Sequence, residues 1–192
     1  MYRPGLCMAR ESFAETPAMT HRAIAPTGIE SPFGEEELLV SKTDLRGRIT
    51  YANDAFLRVS HFAAKDVIGS PHNVIRHPYM PRCVFKLVWD TILAGREIFA
   101  YILNIAKNGD HYWVFAHVTP TFGEERRILG FHSNRRKPHR DQVAQIESLY
   151  ERLYAEESRF KSGNEGMKHS AAILAEACKE RGLDYDEFVL TL

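Results

Sequence analysis

Asn104 interrupts Ile98-Phe-Ala-Tyr-Ile-Leu-Asn-Ile105, a run that otherwise reads as an apolar strand. An amide is disfavoured in a strand, so its presence points to a buried polar task, one that an amide can meet as donor and acceptor. A second polar group crowds the stretch Gly69–Pro81, where His72, Arg76 and His77 stand among Pro71, Pro78 and Pro81. A guanidinium binds phosphate through two parallel bonds, which suits Arg76 to such a partner. Arg76 and His77 would serve equally as partners of surface carboxylates or as loop caps. Asn53 opens a helical pattern, where capping alone accounts for it and a ligand contact is the alternative. Phe85 and Trp89 share a helical stripe, and there core packing competes with a place against a ligand.

Bond-making chemistry finds less support. The chain has nine histidines, but none falls in an H-x-x-x-H pair or near a carboxylate at zincin spacing. His72 and His77 are five apart in a proline-rich loop, a geometry no metal site demands. His111 and His117 alternate with aromatics and read as sheet residues. G-x-S-x-G, G-x-x-x-x-G-K and kinase signatures are absent. Cys7, Cys83 and Cys178 form no C-x-x-C pair, which fits a reducing cytosol rather than a disulfide scaffold. Lys+Arg and Asp+Glu cancel at 25 each, so no global field favours nucleic acid or an anionic membrane. No apolar run approaches the roughly 20 residues that span a bilayer, and no secretory signal is read. The expectation is a cytoplasmic protein that holds a ligand and is not an enzyme.

These residues need elements to place them. Residues 1–35 are punctuated by proline and glycine and read as a flexible arm, with a short helix near Arg10–Glu15. Residues 36–137 read as one folded domain. Two short strands flank Asp44–Gly47, and a helix follows Asn53. A second short helix spans Ala64–Ile68, and Pro71–Pro81 is irregular. Phe85, Val88, Trp89 and Ile92 then fall on one helical stripe. Beyond Gly95 the period changes to two over Ile98–Ile105, His111–Thr121 and Arg127–Asn134, with Asn108-Gly109 as a hairpin signal. The fold class is α+β, a five-stranded antiparallel sheet with helices on one face. Residues 138–192 read as a C-terminal extension of amphipathic helices. Its stripe is Val143, Ile146, Tyr150 and Leu153, followed by a helix over Gly166–Arg181 and a capping box at Asp184–Glu187. The stripe packs on the sheet or pairs with another chain.

Thr43-Asp-Leu-Arg-Gly-Arg-Ile-Thr-Tyr-Ala-Asn53-Asp-Ala-Phe is similar to the opening of PAS domains. Gly69-Ser-Pro-His-Asn-Val-Ile-Arg76-His77-Pro-Tyr-Met80-Pro81 resembles the G-x-x-H-N-x-x-R-H-P-D-M-P signature of the aerotaxis-receptor class of PAS domains. Lys107-Asn-Gly-Asp-His-Tyr-Trp113-Val and Thr119-Pro120 match the same class at its central hairpin. The resemblance implies a PAS fold holding FAD between helices and sheet, with the cofactor's redox state reporting oxygen or electron transport to a signalling partner. It implies cofactor-binding roles for Asn53, His72, Arg76, His77, Phe85, Trp89 and Asn104. The implied partner is a chemoreceptor, a histidine kinase or a second copy of the chain, with output through the helical tail, which is expected to be dispensable for cofactor binding. Two positions depart from the pattern: Tyr79 replaces the signature Asp, and Ile98 stands where many flavin-binding members have Trp. A cofactor-free interaction module, its pocket filled by side chains such as Tyr79 and Ile98, is the alternative. A haem-binding oxygen sensor is another, with His61, His72 or His77 as ligand. Cys83 lies outside the loop where photosensory relatives attach a flavin, and reads as a buried inert thiol.

Overall fold

The structure, a computed structural model, describes residues 24–192. The expected helix near Arg10–Glu15 lies outside them. Alternating apolar residues build five strands: β1 (Leu39–Thr43), β2 (Ile49–Ala52), β3 (Ile98–Ile105), β4 (His111–Phe122) and β5 (Ile128–Arg136). They pair antiparallel in the order β2-β1-β5-β4-β3. The first and last strands of the sequence thus meet in the middle, and the segment between β2 and β3 crosses one face. That segment holds α1 (Asp54–Ser60), α2 (Ala64–Val67), a 3-10 turn at His72–Ile75 and α3 (Arg82–Leu93). β4 runs through Pro120, two residues beyond Val118, where its pairing with β3 ends, while Pro120 still pairs with Phe131 of β5.

The tail forms α4 (Arg140–Ser158), α5 (Gly163–Lys179) and α6 (Tyr185–Leu190). The stripe Val143, Ile146, Tyr150 and Leu153 is buried and packs on the sheet, against the face opposite α1–α3. Tyr150 meets Trp113 with ring centroids 5.9 Å apart and donates to the Tyr101 carbonyl at 2.8 Å. α5 begins three residues earlier than its periodicity indicates, capped by Ser162, whose Oγ accepts from Glu165 N–H. Asp184 and Glu187 form the expected capping box of α6. Residues of the sheet domain and of the tail share a single hydrophobic core.

β3 lies at the rim of the sheet, and side chains close its outer edge. Phe99 N–H donates to Asp186 Oδ1 at 3.1 Å, and Leu103 N–H points to Met80 Sδ at 3.4 Å. The Leu103 carbonyl accepts from His77 N–H at 3.4 Å.

Residues 24–35 do not form the free arm expected of them. Thr27 N–H donates to the Gly109 carbonyl at 2.9 Å, and His111 N–H to the Ile29 carbonyl at 2.8 Å. Ser31 Oγ donates to the Val59 carbonyl at 2.7 Å, and Phe33 is buried beneath Lys137. Proline and glycine there remove helical and strand periods, but main-chain bonds to the β3–β4 hairpin still tie the segment down. Gly109 has φ +97°, and any Cβ on it would strike the Ala25 carbonyl.

Candidate functional site

Alternation along the strands turns one set of side chains toward α1–α3. Register places Ser41 beside Ser133, Thr43 beside Phe131, Ala116 beside Arg135, and Ile102 beside Val114. Asn104, two residues beyond Ile102 on the same face, stands opposite Tyr112. α3 lies over this floor and presents Phe85, Val88, Trp89 and Ile92. The slot between helix and sheet has apolar walls and a polar end formed by Ser41, Thr43, His72, Ser133 and Arg135. Its atom-free space is about 530 Å³ counting the open mouth. Trp89 crosses to Phe131 edge-on, with centroids 5.6 Å apart. Gly47 makes room for Trp89, since a Cβ there would stand 2.8 Å from its ring.

Arg135 dominates the polar end. It is 3% exposed, and no carboxylate among the described residues pairs with it. Its Nη2 donates to Ser41 Oγ at 2.9 Å and His72 Nε2 at 2.7 Å, and the guanidinium lies over the Phe56 ring at 5.5 Å. Nη1 has no partner in the protein. Burial pulls the Arg135 pKa down to about 10, so the group stays cationic at neutral pH. Burial and that adjacent charge hold His72 down to about 3. His72 is thus a neutral acceptor at Nε2, with its proton on Nδ1. Thr43 Oγ1, Asn104 Oδ1 and Nδ2, Tyr112 Oη and Ser133 Oγ are also buried without partners. All lie on the face turned toward α1–α3. Buried polar atoms are normally hydrogen-bonded, so this concentration makes the face the candidate site for a polar ligand.

The residues singled out from sequence are brought together only in part. His72, Phe85 and Trp89 line the slot. Asn104 is fully buried beside it with both amide atoms unpaired. Arg76 forms an isolated main-chain β-bridge with Asn104, and its guanidinium lies over the Phe85 ring at 5.6 Å. Its pKa is lowered by burial first and by Arg82 second. His77 is buried at the β3 edge, and its Nδ1 accepts from Tyr79 N–H at 3.2 Å. Burial first, and the neighbouring His111 second, hold it down to about 4.

Asn53 stands apart from the slot. Its Oδ1 accepts from Val40 N–H at 2.9 Å and Phe56 N–H at 3.0 Å, and its Nδ2 donates to the Leu38 carbonyl at 2.8 Å. Three of the amide's four hydrogen-bonding positions join β1 to α1, so capping accounts for Asn53, and it does not line the slot where the resemblance implied a cofactor contact. Tyr79 does not fill the slot either. It is 54% exposed and meets His77 and Tyr154. Ile98 is buried opposite Val118. Cys83 is buried, and its thiol is pushed up to about 11 by burial. Sequence reasoning missed Ser41, Thr43, Ser133 and Arg135. The signal was present, because Phe131, Ser133 and Arg135 alternate, but the strand was ended at Asn134, one residue short of the guanidinium.

Among the described residues no helix is long and apolar enough to cross a membrane, and no group of three or more His, Cys, Asp or Glu could hold a metal. The chain is 39% identical over 125 residues to the aerotaxis receptor of Escherichia coli (strain K12), a stretch covering 65% of this chain and 24% of the receptor. It is 30% identical over 83 residues to the blue-light-activated histidine kinase of Rhizobium johnstonii, covering 43% of this chain and 24% of the kinase. The chain thus spans about a quarter of the length of these relatives. Among solved structures it superposes on a light-oxygen-voltage domain studied with a flavin analogue, with TM-score 0.52, 18% identity, and coverage of 60% of this chain and 86% of that one. The light-state structure of the Aureochrome1 light-oxygen-voltage domain gives TM-score 0.51 and 18% identity, covering 59% and 90%. The family model described as the PAS fold matches residues 39–134. With that match over half its length, and with the strand order and crossing helices described above, the chain belongs to the PAS family.

Proposed function

We propose that this chain is a flavin-dependent sensor that binds FAD in the slot and passes its redox state to a signalling partner, without turning over a substrate. The observation that carries the reading is that Thr43 Oγ1, Ser133 Oγ and Arg135 Nη1, all lining an otherwise apolar slot, are buried without partners, with Arg135 as an uncompensated cation. Pockets of that composition, with apolar walls and a few directed polar groups, are how cofactors are generally held. The likeness to the aerotaxis receptor and to a light-oxygen-voltage domain studied with a flavin analogue supports a flavin in particular.

FAD, when bound, supplies electron-transfer chemistry, accepting electrons from a cellular donor and yielding them to oxygen; the protein holds it and reads it. Phe85, Val88, Trp89 and Ile92 would sandwich the ring against Ile102, Ala116, Val118 and Phe131. Asn104 and Tyr112 offer donors and acceptors that no protein group uses. An amide there can turn to suit either an acceptor or a donor on the ligand. Arg135 favours negative charge at its end of the slot, and neutral His72 and Ser41 fix its orientation. Arg76 suits the phosphates. The output partner in this reading is a chemoreceptor or histidine kinase in the cytoplasm, or a second copy of the chain.

Absorbance of the freshly purified full chain tests the reading. A two-banded flavin spectrum, or its appearance on incubation with FAD, is the expected result. A Soret band would replace FAD with haem, and a colourless protein that takes up no FAD would leave a protein-docking domain. Asn104→Ala and Arg76→Ala are each expected to lower flavin content, and wild-type retention in both would reject the assignment of those residues.

A further inference from the structure

α3 carries Phe85 and Trp89 into the slot, yet its own sequence does not finish its N-terminus. Pro81 supplies no side-chain acceptor there, and no acidic residue lies in the first turn. The leading N–H groups of a helix have no partner within it, and a carboxylate from the tail takes two of them. Glu157 of α4 accepts from Arg82 N–H through Oε2 and from Cys83 N–H through Oε1, each at 2.9 Å. Ser170 of α5 donates to the same Oε1 at 2.8 Å. Glu157 is 9% exposed, a depth at which an ionisable side chain persists only with such partners.

α5 is shaped around this point. A Cβ on Gly166 would stand 2.6 Å from the Glu157 carbonyl oxygen, and one on Gly163 would collide with Arg82 Nη1. Gly163, Gly166 and Ser170 recur at helical spacing, so one face of α5 lies against Glu157 and Arg82. Tyr154, one turn before Glu157, meets Tyr79 with centroids 5.3 Å apart. Arg76, stacked over Phe85, experiences Arg82 as a like charge and Glu157 as an opposite one. Slot helix, polar loop and tail thus converge on one carboxylate.

We propose that Glu157 is a positioning residue coupling the slot to the tail: it caps α3 from α4, so a ligand that moves Phe85 and Trp89 also moves the seat of α5. Coupling of this kind is reciprocal, so loosening the tail weakens the ligand by the same factor. The inference rests on the reading of the slot as a flavin site.

Hydrogen exchange of the full chain with and without FAD, together with FAD titration by fluorescence quenching, tests it. In the wild type, FAD is expected to slow exchange in α5 as well as around the slot. Glu157→Gln puts an N–H₂ where one of the accepted N–H groups needs an oxygen. It is expected to speed exchange at Arg82–Phe85 and in α5, to leave β1, β4 and β5 protected, and to weaken FAD about tenfold. Ser170→Ala keeps the cap on α3 but cuts the tie from Glu157 to α5; it is expected to loosen α5 and to weaken FAD less than Glu157→Gln does, by about twofold to threefold. Wild-type FAD affinity in Glu157→Gln, or an α5 indifferent to FAD in the wild type, overturns the coupling. Loss of sheet protection in Glu157→Gln overturns it too, because the residue then supports the whole fold. Absence of quenching in every chain, wild type included, overturns the flavin reading itself and the coupling with it.

Discussion

Arg135 brings a positive charge to a wall that offers it two neutral acceptors and an aromatic face. Replacing an uncompensated buried charge with an apolar side chain is often neutral or stabilising. Arg135→Met is therefore expected to leave the ligand-free chain within about 1 kcal/mol of wild type, or above it, while lowering flavin content. Parallel thermal unfolding and absorbance measurements check this, and a large loss of stability with flavin retained would contradict it. Asn53 predicts the reverse, because its amide is already bonded to Val40, Phe56 and Leu38 within the fold. Asn53→Ala is expected to cost about 1–2 kcal/mol, the upper range for a lost helix cap, with the folded fraction keeping its flavin. Both residues are polar and sit beside apolar runs, so the sequence could not rank them. An N-cap and a ligand contact draw on the same amide, and only the partners within reach of Oδ1 and Nδ2 decide between them. Asn104 was easier to read, because no capping position competes for an amide in mid-strand.

Strands and helices were legible where one period persisted, as in α3, β3, β4 and the α4 stripe. Junctions were harder. The start of α5 was hidden because Gly163 and Gly166 lower helix propensity, while the fold needs them where a Cβ would meet Arg82 and Glu157. The docking of residues 24–35 was hidden because it depends on main-chain bonds, which leave no pattern in side chains. The largest departure concerns the tail, read as an extension the sensor could do without. Trp113 and the edge of β3 rest on α4 and α6, and α3 takes its cap from α4. A chain ended after Pro138 would expose several large apolar side chains, each worth about 1.5–3 kcal/mol of burial. Such a chain is expected to melt well below the full chain and to lose flavin. A truncated protein with unchanged melting temperature and cofactor content would refute this.

For the molecule as a whole, acid is the predicted weak point. His72 and His77 are held in the fold at about 3 and about 4, below the roughly 6.5 of an unfolded histidine. The native state therefore binds fewer protons, and the stability linked to these groups is complete above about pH 6.5. It is lost as pH falls from there through the folded values. Each is expected to contribute about 1–2 kcal/mol of loss between pH 6.5 and about pH 5. Melting temperature is expected to drop over that interval, and His72→Gln to flatten the slope without abolishing it. A profile independent of pH would show that the two rings protonate without strain. The rim of the sheet has a consequence of another kind. With Asp186, Tyr150, Met80 and the His77 amide seated along β3, an approaching molecule meets no row of bare donors and acceptors on that flank. The other flank ends in β2, only four residues long. Concentrated protein is thereby protected from zipping side by side into fibrils, and any association between copies is steered toward helices and loops.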